Sequence, residues 1–186
     1  LHIQCRDKKM SKSEFLAAAS RLDGVYVPSL NNPTKRAVVK DLDKAYYPTK
    51  ILVPNCDIVH DRSSIELFRG CANGCRFCQA GFYYRPIRER SVETLTRQAC
   101  ELMDNTGYDE LGLLSLSTGD YSQLKELVDR IKVEADARKV KLALPSLRLD
   151  SFEAEIYEDT RGASLTFAPE AGTQRLRDVI NKNVGE

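Results

Sequence analysis

A chain of 186 residues with 42% hydrophobic residues is long enough to bury a core, and its composition excludes a disordered class. A formal net charge of +1 removes any global argument for a nucleic-acid partner. No apolar run is long enough to span a bilayer, and residues 1–10 are too polar for a secretory signal, so a cytoplasmic location with no membrane partner is expected. The chain starts without Met and ends on Gly185-Glu186 just after a helix-like segment, which reads as an excerpt from a longer protein.

In chain order, Ser11-Lys12-Ser13-Glu14 is a capping box, and a short helix through Phe15, Leu16 and Ala18 should end near Asp23-Gly24. Val25-Tyr26-Val27-Pro28 reads as extended and Asn31-Asn32-Pro33 as a turn. Residues 35–54 lack a clear period, and Pro48 and Pro54 disfavour a helix there. Residues 1–63 therefore read as an irregular lead-in, and 64–186 as the domain proper.

From Ser64 the pattern repeats. Residues 65–68 form a first expected strand. Ser91 should cap a helix with Val92, Leu95, Ala99 and Leu102 on one face, closing near Gly107. Residues 111–116 are a second strand, apolar enough for burial on both faces. Ser122 should cap a helix bearing Leu124, Leu127, Val128, Ile131 and Ala135. Residues 140–144 are a third strand, Phe152, Ile156 and Tyr157 mark a third helix, residues 163–167 a fourth strand, and Thr173 opens a fourth helix. Strand and helix alternate about four times without a hairpin signal, which predicts an α/β fold with a parallel sheet, stopping short of a closed barrel.

Half of the six cysteines fall in one loop after the first strand, Cys71-x-x-x-Cys75-x-x-Cys78. Clustering in a chain without a secretion signal favours a metal over a disulfide framework. Three thiolates on a glycine-containing loop suit a soft metal centre, and the missing fourth ligand leaves an open coordination position. Cys5, Cys56 and Cys100 stand apart, Cys100 as an expected core residue. In parallel α/β folds the loops at the carboxyl ends of the strands build the site. Here they carry Ser117-Thr118-Gly119-Asp120 after the second strand, Ser146 and Arg148 after the third, and Pro169-Glu170-Ala171-Gly172-Thr173 after the fourth.

The cysteine spacing, with Phe77 before the last cysteine in a repeating βα pattern, resembles the signature of the radical S-adenosylmethionine superfamily. Residues 75–90 and 165–184 resemble a subgroup in which a cobalamin-binding-like domain precedes the radical domain and an uncharacterised domain follows. The resemblance implies a partial TIM-like barrel, of which 64–186 would be the N-terminal part. It implies that Cys71, Cys75 and Cys78 hold three irons of a 4Fe–4S cluster, while S-adenosylmethionine chelates the fourth and is cleaved to a 5′-deoxyadenosyl radical. It also implies an electron donor such as ferredoxin or flavodoxin, and cobalamin in an upstream domain. By the same resemblance Phe77 packs beside the adenine, and Ser117, Thr118, Gly119 and Asp120 stand where the family's Gly-Gly-Glu segment binds the methionine amino group. Arg148 and Ser146 would take the methionine carboxylate, and Glu170 the ribose hydroxyls.

Two other readings remain open. A methylthiotransferase-like RNA modifier shares the style of the later loops. A non-catalytic module with a structural zinc would need a fourth ligand, for which Cys56 or His60 are candidates. The run Phe82-Tyr83-Tyr84-Arg85-Pro86-Ile87-Arg88-Glu89-Arg90 interleaves aromatics with arginine, as an RNA-contacting patch would; packing of those rings beneath the cluster is the favoured expectation.

Overall fold

The computed structural model describes residues 1–144 and 167–185. Ser146 and Arg148, the third expected helix, and the fourth expected strand up to residue 166 lie outside the described residues. Two compact units, Leu1–Lys40 and Asp41–Glu186, make up the chain.

The first unit carries α1 (His2–Asp7) and α2 (Lys12–Ala19). The capping box is present: Glu14 N–H donates to Ser11 Oγ at 3.3 Å, and Ser11 N–H donates to Glu14 Oε2 at 2.8 Å. The helix stops at Ala19, before the expected Asp23-Gly24. Beyond it, the Asn32 side chain organises the turn, donating to Ser20 O at 3.2 Å and Val25 O at 3.0 Å while accepting the Val27 N–H at 2.8 Å.

The second unit contains β1 (Ser63–Glu66), β2 (Phe68–Arg69), α3 (Ala80–Tyr83), β3 (Arg88–Glu89), α4 (Val92–Thr106), β4 (Glu110–Leu114), α5 (Leu124–Arg138), β5 (Lys141–Ala143) and α6 (Gln174–Val179). Strands β1, β4 and β5 form a parallel sheet in that order, with Ile65 opposite Leu113 and Leu111 opposite Leu142. The βα repeat predicted for this region is thus observed, as an open sheet among the described residues. Ile65, Leu111 and Leu113 share its covered face and are fully buried against Leu95, Ala99 and Leu102 of α4 and Leu127 and Ile131 of α5. Each such side chain contributes roughly 1.5–3 kcal/mol of burial. Leu114 and Leu116 are half exposed, so burial on both faces stops at Leu113.

The helix signals hold at α4 and α6. Ser91 Oγ accepts the Thr94 N–H at 3.2 Å, and Gly107 at φ 69° closes α4 in the left-handed region that glycine tolerates. Thr173 caps α6, and its Oγ1 accepts from Leu176 N. Ser122 does not cap α5, which starts from Gln123 without a side-chain cap. Its N–H instead donates to Glu89 Oε1 at 3.1 Å, and its hydroxyl bonds Glu89 Oε2.

The first expected strand divides at Leu67. Its N–H donates to Leu114 O at 3.0 Å, and its carbonyl accepts from Arg90 N at 3.0 Å. Phe68 and Arg69 then leave the parallel sheet and pair antiparallel with Glu89 and Arg88. Arg90 secures this exit. Its side chain is fully buried, donating from Nε to Glu66 O at 3.1 Å, pairing with Glu66 Oε2 at 3.0 Å and bonding Leu42 O. Its guanidinium lies 5.4 Å from the Tyr47 ring centre, and Tyr47 in turn bonds Ser64 O.

Burial pushes the Glu66 carboxyl up, but Arg69 and Arg90 outweigh it and hold it below its ordinary value of 4.5. A depressed folded-state value means its stabilisation is complete above pH 4.5 and is lost as pH falls through the folded value. Arg90→Ala, which leaves Glu66 to Arg69 alone and strands the Leu42 carbonyl, is expected to cost about 1–3 kcal/mol in urea unfolding at neutral pH. The same variant should show a flatter acid limb than the wild type, because Glu66 then keeps a smaller shift.

Candidate radical centre

The cysteine loop leaves the carboxyl end of the β1–β2 segment through Gly70. Its φ of 104° suits glycine, and a Cβ there would meet Tyr84 O at 2.9 Å and Pro86 O at 3.1 Å. The loop then folds on itself. Cys78 N–H donates to Cys75 O at 3.0 Å, Arg85 Nη2 donates to Ala72 O at 3.2 Å, and the Cys71 thiol faces Asn73 O at 3.9 Å. A Cβ on Gly81, at the start of α3, would stand 2.1 Å from Asn73 O, so the loop's close return requires glycine there.

Cys75 is buried, Cys71 and Cys78 are partly buried, and all six cysteines are free thiols. Among the described residues no three side chains of His, Cys, Asp or Glu stand close enough together to hold a metal ion. The three thiols share one short loop without forming a closed cage. As a donor set they still suit an iron–sulfur cluster: soft sulfur only, unpaired in disulfides, with the middle ligand shielded from water. Cys56 and His60 are exposed and do not join them, which leaves a zinc site without its fourth ligand.

The turn after β4 and the segment after α6 both bond to the cysteine loop. Ser117 precedes a short 3-10 turn, Thr118–Asp120. Asp120 Oδ2 accepts from Asn73 Nδ2 at 2.6 Å, tying this turn to the residue midway between Cys71 and Cys75. Ser117 is 2% exposed and its hydroxyl has no hydrogen-bond partner, one of two such buried side-chain atoms among the described residues. This buried, unpaired hydroxyl, three residues before the Asp120 that bonds the cysteine loop, is a polar atom that a ligand would satisfy. Thr118 bonds Ser115 Oγ at 3.1 Å and Leu113 O at 3.3 Å, so its hydroxyl serves the turn itself. Gly119 lies within the turn.

From the end of α6, Ile180 O accepts the Arg76 N–H and Asn181 Nδ2 donates to Gly74 O, both at 2.9 Å. Glu170, at φ 68°, is ion-paired with Lys182 at 3.5 Å. Phe77 is 54% exposed. Phe82, Tyr83, Tyr84 and Ile87 are exposed as well, with Arg85 5.9 Å from the Phe82 ring centre. The expectation that these rings pack beneath the cluster is therefore corrected: α3 is a single turn, and it presents them outward.

Asn73 and Asn181 are the contributors that sequence reading passed over. Asn73 occupies a variable place of the cysteine motif and carries no signal. Asn181 does carry one: asparagine just past a helix end favours the left-handed closing position.

A family model described as the Radical SAM superfamily matches residues 65–185. The chain belongs to the radical SAM superfamily. Membership implies a 4Fe–4S cluster and S-adenosylmethionine as cofactors, and enzymes of this superfamily generally need an electron donor. It is 32% identical over 156 residues, 79% of the chain, to an uncharacterised protein of Methanocaldococcus jannaschii. It is 29% identical over 98 residues, 53% of the chain, to the threonylcarbamoyladenosine tRNA methylthiotransferase of Bacillus subtilis. It is 28% identical over 117 residues, 61% of the chain, to the cytidylyl-2-hydroxyethylphosphonate methyltransferase of Streptomyces wedmorensis. The match spans 34% of the first relative and 22% of each of the other two. Among the described residues no helix is long and apolar enough to cross a membrane.

Gly81→Ala is expected to destabilise the unit by about 1–3 kcal/mol, since a backbone carbonyl rather than a flexible side chain stands in the way. Mass-spectrometric labelling of the native protein should show Cys75, protected in the wild type, becoming reactive in the variant.

Proposed function

We propose that residues 64–186 are the N-terminal part of a radical SAM core barrel that cleaves S-adenosylmethionine reductively, and that residues 1–63 lead into it. The observation that carries this reading is the bonding of the turn after β4 and of the segment after α6 to a loop of three free thiols. Cys71, Cys75 and Cys78 would hold the 4Fe–4S cluster and leave one iron for S-adenosylmethionine. When bound, the cluster would supply the single electron needed for reductive cleavage of S-adenosylmethionine.

This chain's own residues bind and orient. Ser117 Oγ and the Asp120 carboxylate, from one turn, suit the methionine ammonium: one is an unpaired acceptor, the other an anion held by Asn73 of the cysteine loop. Gly119 keeps that turn open to close approach. Phe77, exposed between Cys75 and Cys78, offers a face to the adenine. Glu170 suits the ribose hydroxyls if Lys182 shares it. Ser146 and Arg148 are assigned to the methionine carboxylate on the resemblance alone. An acidic one-electron carrier of the ferredoxin or flavodoxin type suits the basic surroundings of the loop, where residues 67–88 include Arg69, Arg76, Arg85 and Arg88 and no carboxylate side chain.

A second reading, modification of RNA by methylthiolation, is favoured by the similarity to the tRNA methylthiotransferase and by the exposed Phe82, Tyr83 and Tyr84, which suit base stacking.

The test is anaerobic reconstitution of the full-length protein with iron and sulfide. The expected product is a brown protein, bleached by dithionite, that converts S-adenosylmethionine to 5′-deoxyadenosine and methionine. Alanine at Cys71, Cys75 or Cys78 should abolish the cleavage. A colourless zinc protein whose Cys75→Ala variant loses only stability would overturn the proposal, and thiolated tRNA among the products would select the second reading.

A further inference from the structure

The two bonds from the end of α6 fall on either side of one cysteine. Gly74 and Arg76 are the neighbours of Cys75. The Gly74 carbonyl accepts from Asn181 Nδ2 at 2.9 Å, and the Arg76 N–H donates to Ile180 O at 2.9 Å. The Arg76 guanidinium adds a bond to Val179 O. Both peptide units flanking the buried thiol are thus held by a stretch more than one hundred residues away, as the 107-residue separation of the Asn181–Gly74 bond shows.

Asn181 is suited to this place twice over. Its φ of 55° is in the left-handed region, where asparagine is among the few tolerated non-glycine residues. Its amide supplies the donor that the Gly74 carbonyl would otherwise lack in the folded loop. Glycine at 74 permits the approach, since a Cβ there would stand 3.2 Å from Asn181 Nδ2. The stretch itself is braced. Asn181 N–H donates to Asp178 O at 3.0 Å, Arg177 Nε donates to Val184 O at 3.0 Å, and Lys182 pairs with Glu170 at 3.5 Å.

We propose that Asn181 is a positioning residue for Cys75: its amide holds the Gly74 carbonyl on one side of the thiol, and its fixed backbone sets the preceding Ile180 carbonyl that holds the Arg76 N–H on the other, so that the thiol is presented to the cluster in one orientation. The proposal rests on the cluster-binding reading given above. Ligands held by fixed neighbours tune a metal centre through orientation and hydrogen bonding, so loss of the bracket alters the cluster's electronic properties as well as loop order. The pairing of Glu170 with Lys182 places a proposed cofactor contact on the same braced stretch.

Two variants of the full-length protein test it. Asn181→Gly keeps the left-handed backbone and removes the amide. Asn181→Asp keeps size and backbone preference but turns an acceptor toward the Gly74 carbonyl. In metal-free protein, hydrogen exchange at the Arg76 amide is expected to quicken by about five- to tenfold in both variants, because its bond to Ile180 O opens more often once the Asn181–Gly74 bond beside it is gone, with α4 and β4 unchanged. After reconstitution the midpoint potential and the electron paramagnetic resonance line shape of the cluster should both shift from the wild type, more in the aspartate variant. Wild-type exchange at Arg76 with a wild-type potential overturns the proposal, as does exchange that quickens equally throughout α4 and β4 while the potential stays fixed. A wild-type protein that takes up no iron overturns the cluster reading itself, and the positioning role with it.

Discussion

Leu67 is the residue on which the arrangement depends. A chain leaving a parallel strand must give its backbone groups new partners or lose them to burial. Leu67 meets that demand by donating to Leu114 in the parallel sheet and accepting from Arg90 on the returning segment. The chain can then turn off the sheet edge within two residues, and Gly70 starts the cysteine loop beside the end of β4. The buried Arg90 side chain makes the exit rigid by tying Glu66 and Leu42 together at one point. Arginine suits the role because its fork serves a carboxylate and backbone carbonyls at once. Without this return the thiols would sit on an unsupported extension of β1.

Much of this was legible from residues. The spacing of Val92, Leu95, Ala99 and Leu102, capped by Ser91 and closed by Gly107, specified α4 because every local preference agreed with the packing. The short antiparallel pair β2–β3 was not legible, because a two-residue strand has no period to read and its partners are separated by the whole cysteine loop. Ser122 misled for a related reason. Its hydroxyl had a choice between the end of α5 and the Glu89 carboxylate across the loop, and a charged acceptor wins over a backbone donor.

In the candidate site the grouping of the three cysteines was legible, and the bonds that brace their loop were not. The motif names the proposed ligands, but Asn73, Ile180 and Asn181 act through contacts between residues far apart in sequence. The aromatic residues after the motif were read as packed beneath the cluster. Composition cannot distinguish that from outward display, and the one-turn length of α3 decided it.

Three soft donors on a supported loop suit a centre with one open iron. The proposed function would leave binding and orientation to this chain and bond cleavage to the cofactors. The central claim is that one iron of the cluster lacks a protein ligand and receives S-adenosylmethionine. Mössbauer spectroscopy of the full-length protein, reconstituted with 57Fe, tests it most directly. The account predicts a 4Fe–4S cluster in which a single iron changes its isomer shift when S-adenosylmethionine is added and the other three do not. A spectrum that is unchanged by S-adenosylmethionine would contradict it.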